Sequence, residues 1–378
     1  MHIAFLTPEY PHPKVTASGG LGTSIKNLAT ALTKENVQVS LFIYGQSEDV
    51  IFTESGIKFH LIKHQKFKVL GWYLKRKAIQ KYINTYIKLE NIDVVEAPDW
   101  TGISAFMNLK SPLVIRFNGS DGYFCKIDGR KQKPKHRFLE KIALKHANHL
   151  VSVSKYTADE TRKIFNLNKE IKVIPNSINA DNFEPQSEVP QHLSVLYFGT
   201  LIRKKGVLEI PLYLNKVSKS IPNCNFIFAG RDVVDKQTGR STKNLMQNIL
   251  SQDAKKNVQF LGALPYAKIK TEIAKASVVI LPSYAEALPM TWIEAMAMEK
   301  AIVTSDIGWA KEVMIDGETG FTVNPKNHKQ FAERIMTLLS DASLRETLGK
   351  QARKQVLTKF DTKVVTPQNI AFYKSISN

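Results

Sequence analysis

Short apolar runs, each followed by a stretch of helical period, recur along this chain in two successive blocks, and that alternation limits the fold more than any other feature. In the first block the runs fall near residues 2–7, 37–44, 92–96, 113–117, 149–153 and 171–174. In the second they are LSVLYFG (193–199), NFIFAG (225–230), VQFLG (258–262), SVVILP (277–282) and AIVTS (301–305). Strands alternating with helices predict parallel sheets in an α/β architecture. The segment VIPNSINADNFEPQSEVPQ between the blocks is rich in Pro, Asn and Ser and lacks periodicity, which marks a linker. The expected domains are residues 1–185 and 186–364, with a final helix near 366–377. A length of 378 residues suits two such units, and 43% hydrophobic content supplies two cores.

Within the second block, EALPMTWIEAMAME (Glu286 to Glu299) sets two carboxylates on either side of a loop-to-helix transition. The loop follows an apolar strand, so Glu286 sits past a strand's carboxyl end, where open α/β sheets bind ligands. Backbone N–H groups at the helix start, from Leu288 and Pro289 into Met290 and Thr291, favour an anion such as a diphosphate. Glu294, one turn into the helix, suits the paired hydroxyls of a ribose, and Glu286 those of a hexose. Thr291-x-x-Glu294 is equally a capping box, with Ile293 and Ala297 as ordinary core, and the residues alone leave both readings open.

Three further strand-end stretches carry candidate chemistry. Ser18-Gly19-Gly20-Leu21-Gly22 either lets backbone approach a phosphate or sugar closely at Gly20 and Gly22, or makes a tight turn. It lacks the third glycine of a dinucleotide fingerprint, and no P-loop occurs in the chain. Arg203, Lys204 and Lys205, ahead of Gly206, are either a solvated run or cations that neutralise a departing diphosphate. VVEAPDW supplies Glu96, Asp99 and Trp100, a carboxylate pair beside a ring suited to stacking on an acceptor sugar, or else surface acids and a half-buried Trp.

The Glu286–Glu299 stretch, its continuation KAIVTSDIGWAKEVMIDGETGFTV, and the upstream GTLIRKKGV and GGLGTSIKNLATAL together resemble the Glu-x7-Glu retaining glycosyltransferases of family 4, which have the GT-B fold. The resemblance spans nearly the whole chain. It implies two Rossmann-like domains facing across a cleft, the first binding acceptor and the second a sugar nucleotide, with the helix at 365–378 crossing back to the first. It further implies metal-independent transfer with retention of configuration, with a nucleoside-diphosphate-sugar as donor substrate and no cofactor. In that scheme Glu294 holds the ribose, Glu286 the donor hexose, Gly262 and its neighbours the base, and Arg203 and Lys205 the diphosphate, while Asn118 and the Gly20 loop close over the sugar. Two positions depart from the family pattern. Thr200 stands where an arginine is common, leaving Arg203 to substitute, and Asn118-Gly119 stands where a His-Gly pair is common. An amide hydrogen-bonds a hydroxyl but carries no proton at neutral pH, and Asn-Gly is equally a simple turn.

Composition narrows the remaining classes. Cys125 and Cys224 have no ligand or disulfide spacing, no Asp-x-Asp occurs, Asp316-Gly-Glu318 looks like a turn, and the nine histidines form no metal motif, so no metal is expected. The chain opens on a strand, HIAFLT, with no leader pattern, and no apolar run spans a bilayer, which predicts a cytoplasmic location. Net charge is +19; Lys58 to Lys88 is basic without an acid and contains Trp72, Tyr73, Tyr82 and Tyr86, and a second basic stretch runs from Lys126 to Lys145. Such a surface either attracts anionic lipid at the inner face of the membrane or is a solvated helix face. No nucleic-acid module is present. The expected activity is sugar transfer from a sugar nucleotide to a glycan or lipid-linked acceptor. The alternatives are a sugar-nucleotide epimerase on the same fold and a non-catalytic basic protein that binds polyanions.

Overall fold

The computed structural model describes residues 1–16, 18–185 and 193–377. Residues 186–191 of the expected linker and residue 378 of the expected terminal helix lie outside the described residues. The chain divides into two compact units, Met1–Asn179 with Asp361–Asn378, and Ala180–Phe360.

The first unit is built on eight strands: β1 (His2–Thr7), β2 (Gln38–Gln46), β3 (Val50–Glu54), β4 (Ile57–Lys63), β5 (Val94–Pro98), β6 (Leu113–Phe117), β7 (His149–Ser152) and β8 (Ile171–Val173). Their order is β3-β4-β2-β1-β5-β6-β7-β8. Only β3 runs antiparallel, against β4. Side chains alternate across the sheet, so Leu6, Phe42, Val95 and Ile115 pack into one core while Phe5, Leu41, Val94 and Val114 pack into another. The helix Thr362–Ile376 lies on the second core through Val365 and Tyr373. Asp361 caps its first turn by accepting the Lys363 N–H.

Strands β3 and β4 were not anticipated. In IKFHLIK the charged Lys58 and the imidazole of His60 interrupt what would otherwise be an apolar run. His60 is nevertheless fully buried, its ring against Phe42 and Tyr86 and its Nε2 3.2 Å from a Glu90 carboxylate oxygen.

The second unit has β9 (Ser194–Phe198), β10 (Asn225–Ala229), β11 (Val258–Gly262), β12 (Val278–Leu281), β13 (Ile302–Ser305) and β14 (Phe321–Val323). They form one parallel sheet in the order β11-β10-β9-β12-β13-β14. The unanticipated β14 is three residues long and follows the turn in which the Gly317 N–H donates to the Gly320 carbonyl. In each sheet one early strand has its neighbours on opposite sides: β1 between β2 and β5, and β9 between β10 and β12. The loops leaving these strands diverge there, the place where open α/β sheets bind ligands. Among the described residues no helix is long and apolar enough to cross a membrane.

Candidate functional site

In the second unit the reversal at β9 brings the loop after β9 beside the loop after β12. The turn Arg203–Lys205 is stitched to the β12 loop, the Tyr284 N–H donating to the Lys204 carbonyl at 2.9 Å. Gly206, at φ +69°, makes the seam possible, because a Cβ there would lie 1.9 Å from the Pro282 carbonyl oxygen. The seam carries the Lys205 ammonium onto the carboxylate of Glu286, with which it forms a hydrogen-bonded ion pair.

The helix Met290–Ala297 begins just beyond. Its N-cap is Pro289, and no side chain caps it. The capping box read from Thr291 and Glu294 does not form: Thr291 lies within the first turn, and Glu294 accepts instead from the Tyr266 hydroxyl at 2.7 Å. The first-turn N–H groups therefore present an electropositive end beside Glu286 and its loop. Glu294 is 5% exposed. Burial pushes its pKa up to about 7, while the Tyr266 hydrogen bond and the nearby Lys205 charge act to lower it. Lys205 thus acts electrostatically on both carboxylates.

The structure brings Lys205, Glu286, Glu294 and the Leu288–Thr291 loop together, and leaves Arg203 apart. The Arg203 guanidinium grips Asp235 with two hydrogen bonds of 2.9 and 2.8 Å, and Asp235 also accepts from the N–H and hydroxyl of Thr238. The Arg203 bond, aided by Thr238, holds that carboxyl well below its usual range. Gly262 ends β11, and its carbonyl accepts the Gly230 N–H at 2.8 Å. Four positions later Tyr266 opens the helix Tyr266–Lys275 and reaches Glu294. Sequence reading missed Tyr266; its place in the first helical turn after a strand end is the signal that could have found it.

In the first unit, loops after β5 and β6 bring Asp99, Trp100 and Asn118 together. Asp99 is 1% exposed; its Oδ1 accepts the Asn118 N–H at 3.1 Å, while its Oδ2 is buried with no hydrogen-bond partner among the described residues. Burial, reinforced by the Glu140 charge, raises its pKa well above the ordinary value. Trp100 is 40% exposed. The Asn118 side-chain oxygen accepts from Asn176 at 3.4 Å.

Glu96 is a correction to the acceptor reading. It is buried under the terminal helix. There it pairs with Arg116 at 2.7 and 3.0 Å and accepts the Tyr373 hydroxyl at 2.7 Å. Asn369 takes a further Arg116 hydrogen at 2.7 Å. Gly20 and Gly22 lie in the first turn of the helix Gly20–Lys34, where the Gly22 N–H donates to the Glu9 carboxylate at 2.8 Å. A carboxylate of the chain itself thus sits at that helix end.

The basic segment Lys58 to Lys88 is not one surface. Lys58 pairs with Glu90 at 2.7 Å, Arg76 is buried, and Lys66 and Lys68 are exposed beside Phe67, Val69 and Leu70. Among the described residues no three His, Cys, Asp or Glu side chains form a group that could hold a metal ion.

Comparison with known proteins follows the same division. Residues 18–182 match the family described as Glycosyltransferase Family 4, and residues 179–355 match Glycosyl transferases group 1. A Campylobacter jejuni relative, GalNAc-alpha-(1->4)-GalNAc-alpha-(1->3)-diNAcBac-PP-undecaprenol alpha-1,4-N-acetyl-D-galactosaminyltransferase, is 24% identical over 89% of this chain and 90% of its own length. The sucrose-phosphate synthase of Thermosynechococcus elongatus superposes with a TM-score of 0.80 at 19% identity, covering 99% of this chain and 98% of that one. Anabaena HepE in complex with UDP gives 0.77 at 19% identity, covering 99% and 100%.

Proposed function

The chain belongs to the GT-B glycosyltransferases of the family 4 type, and we propose that it moves a hexose from a nucleoside diphosphate to a glycan or lipid-linked acceptor, with retention and without a metal. The observation that carries the donor reading is the Lys205–Glu286–Glu294 cluster at an uncapped helix start, on loops that flank the point of strand reversal. Anabaena HepE, which shares the fold, is described in complex with UDP, and the Campylobacter relative is named for an undecaprenol diphosphate-linked substrate.

Each group has a definite task in this reading. Glu294 accepts from the ribose hydroxyls, displacing the Tyr266 hydroxyl. Glu286 gives up Lys205 and accepts from the hexose. Lys205 and the first-turn N–H groups of the helix then face the diphosphate, whose negative charge grows as the sugar bond breaks. Arg203 contributes only by leaving Asp235. In the first unit Asp99 and Trp100 bind the acceptor, and the Asn118 amide hydrogen-bonds a hydroxyl without taking a proton. The exposed Phe67, Val69, Leu70 and Leu74, flanked by Lys66 and Lys68, support peripheral attachment to an anionic membrane on the cytoplasmic face.

The two glutamates separate the roles. Glu294→Ala should weaken nucleotide binding about tenfold or more, the scale of a lost charged hydrogen bond. Glu286→Ala should lower kcat with nucleotide affinity kept. Binding calorimetry with nucleoside diphosphates and steady-state transfer kinetics distinguish them, and equal, negligible effects from both would refute the assignment.

A further inference from the structure

At the carboxyl ends of β1, β2 and β4 the first unit holds a cavity of 340 Å³. Pro8, Tyr44, Ala78, Ile79 and Ile103 form its apolar wall, and Lys63, His64, Lys75 and Arg76 its cationic side. Local sequence shapes it. Gly45, at φ +82°, lies where the pairing of β2 with β4 shifts register, which turns the end of β2 away from its neighbour. Thr16 is held near by Gln46, whose side-chain oxygen accepts both the Thr16 N–H and hydroxyl.

Among the described residues no ion pair neutralises the cations of this cavity. Arg76 is 8% exposed, and among the described residues its guanidinium donates only to the carbonyls of Trp72, Thr101 and Gly102. Among the described residues no carboxylate pairs with Arg76, Lys63, Lys75 or His64. The Asp49 carboxylate accepts the Lys63 backbone N–H at 2.8 Å, and the Glu9 charge reaches Tyr44 on the apolar wall without an ion pair to the cavity's cations. Lys75 Nζ instead lies 3.0 Å from His64 Nε2. A buried cation without a counter-charge is costly unless an anion completes it, and Lys or Arg donors converging on a cavity suit phosphate oxygens. The apolar wall limits the ligand to one that is more than a bare ion.

We propose that this cavity binds a phosphate or diphosphate group carried by the acceptor, with Lys63 and Lys75 as its direct donors and the buried Arg76 as fixed positive background. The proposal rests on the glycosyltransferase reading and names the acceptor's chemical class. The phosphate comes either from a water-soluble sugar phosphate or from a lipid diphosphate headgroup, and the two present the same chemistry to the lysines.

The test is calorimetric titration of the full chain carrying Lys205→Ala, so that the donor site does not compete for the probe. The probes are inorganic pyrophosphate, a hexose 1-phosphate, and a short-chain prenyl diphosphate in neutral detergent. Saturable binding by at least one of them is expected, weakened about tenfold or more by Lys63→Gln with Lys75→Gln, as for lost charged hydrogen bonds. Lys63→Arg with Lys75→Arg should restore much of it. Binding of both soluble probes identifies a sugar phosphate, and binding of the prenyl diphosphate alone identifies a lipid headgroup. Both altered lysines are exposed or half-buried, and an unchanged thermal transition shows that the variants fold. No saturable binding of any probe, or binding indifferent to removal of the lysine charges, overturns the proposal. Nucleoside diphosphate binding to the chain with Lys205 intact, read separately, tests the donor site and leaves this inference untouched.

Discussion

At the ends of β9 and β12 a lysine and two carboxylates answer one another, whereas at the ends of β2 and β4 four basic side chains meet no carboxylate among the described residues. Both sets of loops leave the carboxyl edge of a parallel sheet near a point of strand reversal, so topology is common to the two and charge is not. The first arrangement is neutralised internally, and in the proposed reading it exchanges its own partners for a ligand's hydroxyls and diphosphate. The second keeps its cations open and is completed only by an anion from outside. The contrast extends to the carboxylates of the first unit: Glu96 accepts from Arg116 and Tyr373, while Asp99 is left with one oxygen that has no partner among the described residues.

The saturated ion pair offers the largest effect. Glu96→Ala leaves Arg116 buried without its counter-charge and frees the terminal helix, and should cost about 3–5 kcal/mol of stability in a urea titration. A change near zero would mean that the network adds nothing to holding the helix.

Next comes Lys205→Ala, which removes the charge shared by Glu286 and Glu294. It should lower kcat about 10²–10³-fold, the scale of losing one donor aimed at developing charge. Arg203→Ala breaks the same comparison from the other side. Because Arg203 is engaged with Asp235, its loss should be clearly smaller than that of Lys205, and a larger loss would show that Arg203 leaves Asp235 to take the leaving group.

The smallest effect is a pH dependence. The Glu294 carboxyl moves from an ordinary 4.5 to about 7, so the folded chain holds its proton more tightly than the unfolded chain does. Its contribution to stability is therefore present below 4.5 and is lost as pH rises through 7. If Glu294 accepts the ribose hydroxyls as proposed, nucleotide affinity should run the other way, rising through the same interval as the carboxylate forms. Calorimetric titration at several pH values reads this slope, and Glu294→Ala should flatten it.

Much of this was legible in the sequence where local pattern and tertiary use agree. Runs such as LSVLYFG and SVVILP became central strands, and Lys205, Glu286 and Glu294, singled out because they flank strand ends and a helix start, lie together in the structure. What was not legible depends on partners distant in sequence. Glu96 and Asp99 sit three positions apart in VVEAPDW, and nothing local says that one meets Arg116 and Tyr373 while the other faces a loop. Arg203 and Lys205 stand in one turn, yet Asp235 takes the first and Glu286 the second. Tyr266 reaches Glu294 only through the pairing of β11 to β10 and of β9 to β12. Strand β4 was hidden because its His60 is balanced by Glu90, 30 positions away.

The most direct measurement of the donor assignment is calorimetric binding of UDP, GDP, ADP, CDP and dTDP to the wild-type chain and to Glu294→Ala. The account predicts saturable binding of one nucleotide family by the wild type, weakened about tenfold or more in the variant. Binding that is equal in both proteins, or absent for every nucleotide, would contradict a donor site built on Lys205, Glu286 and Glu294.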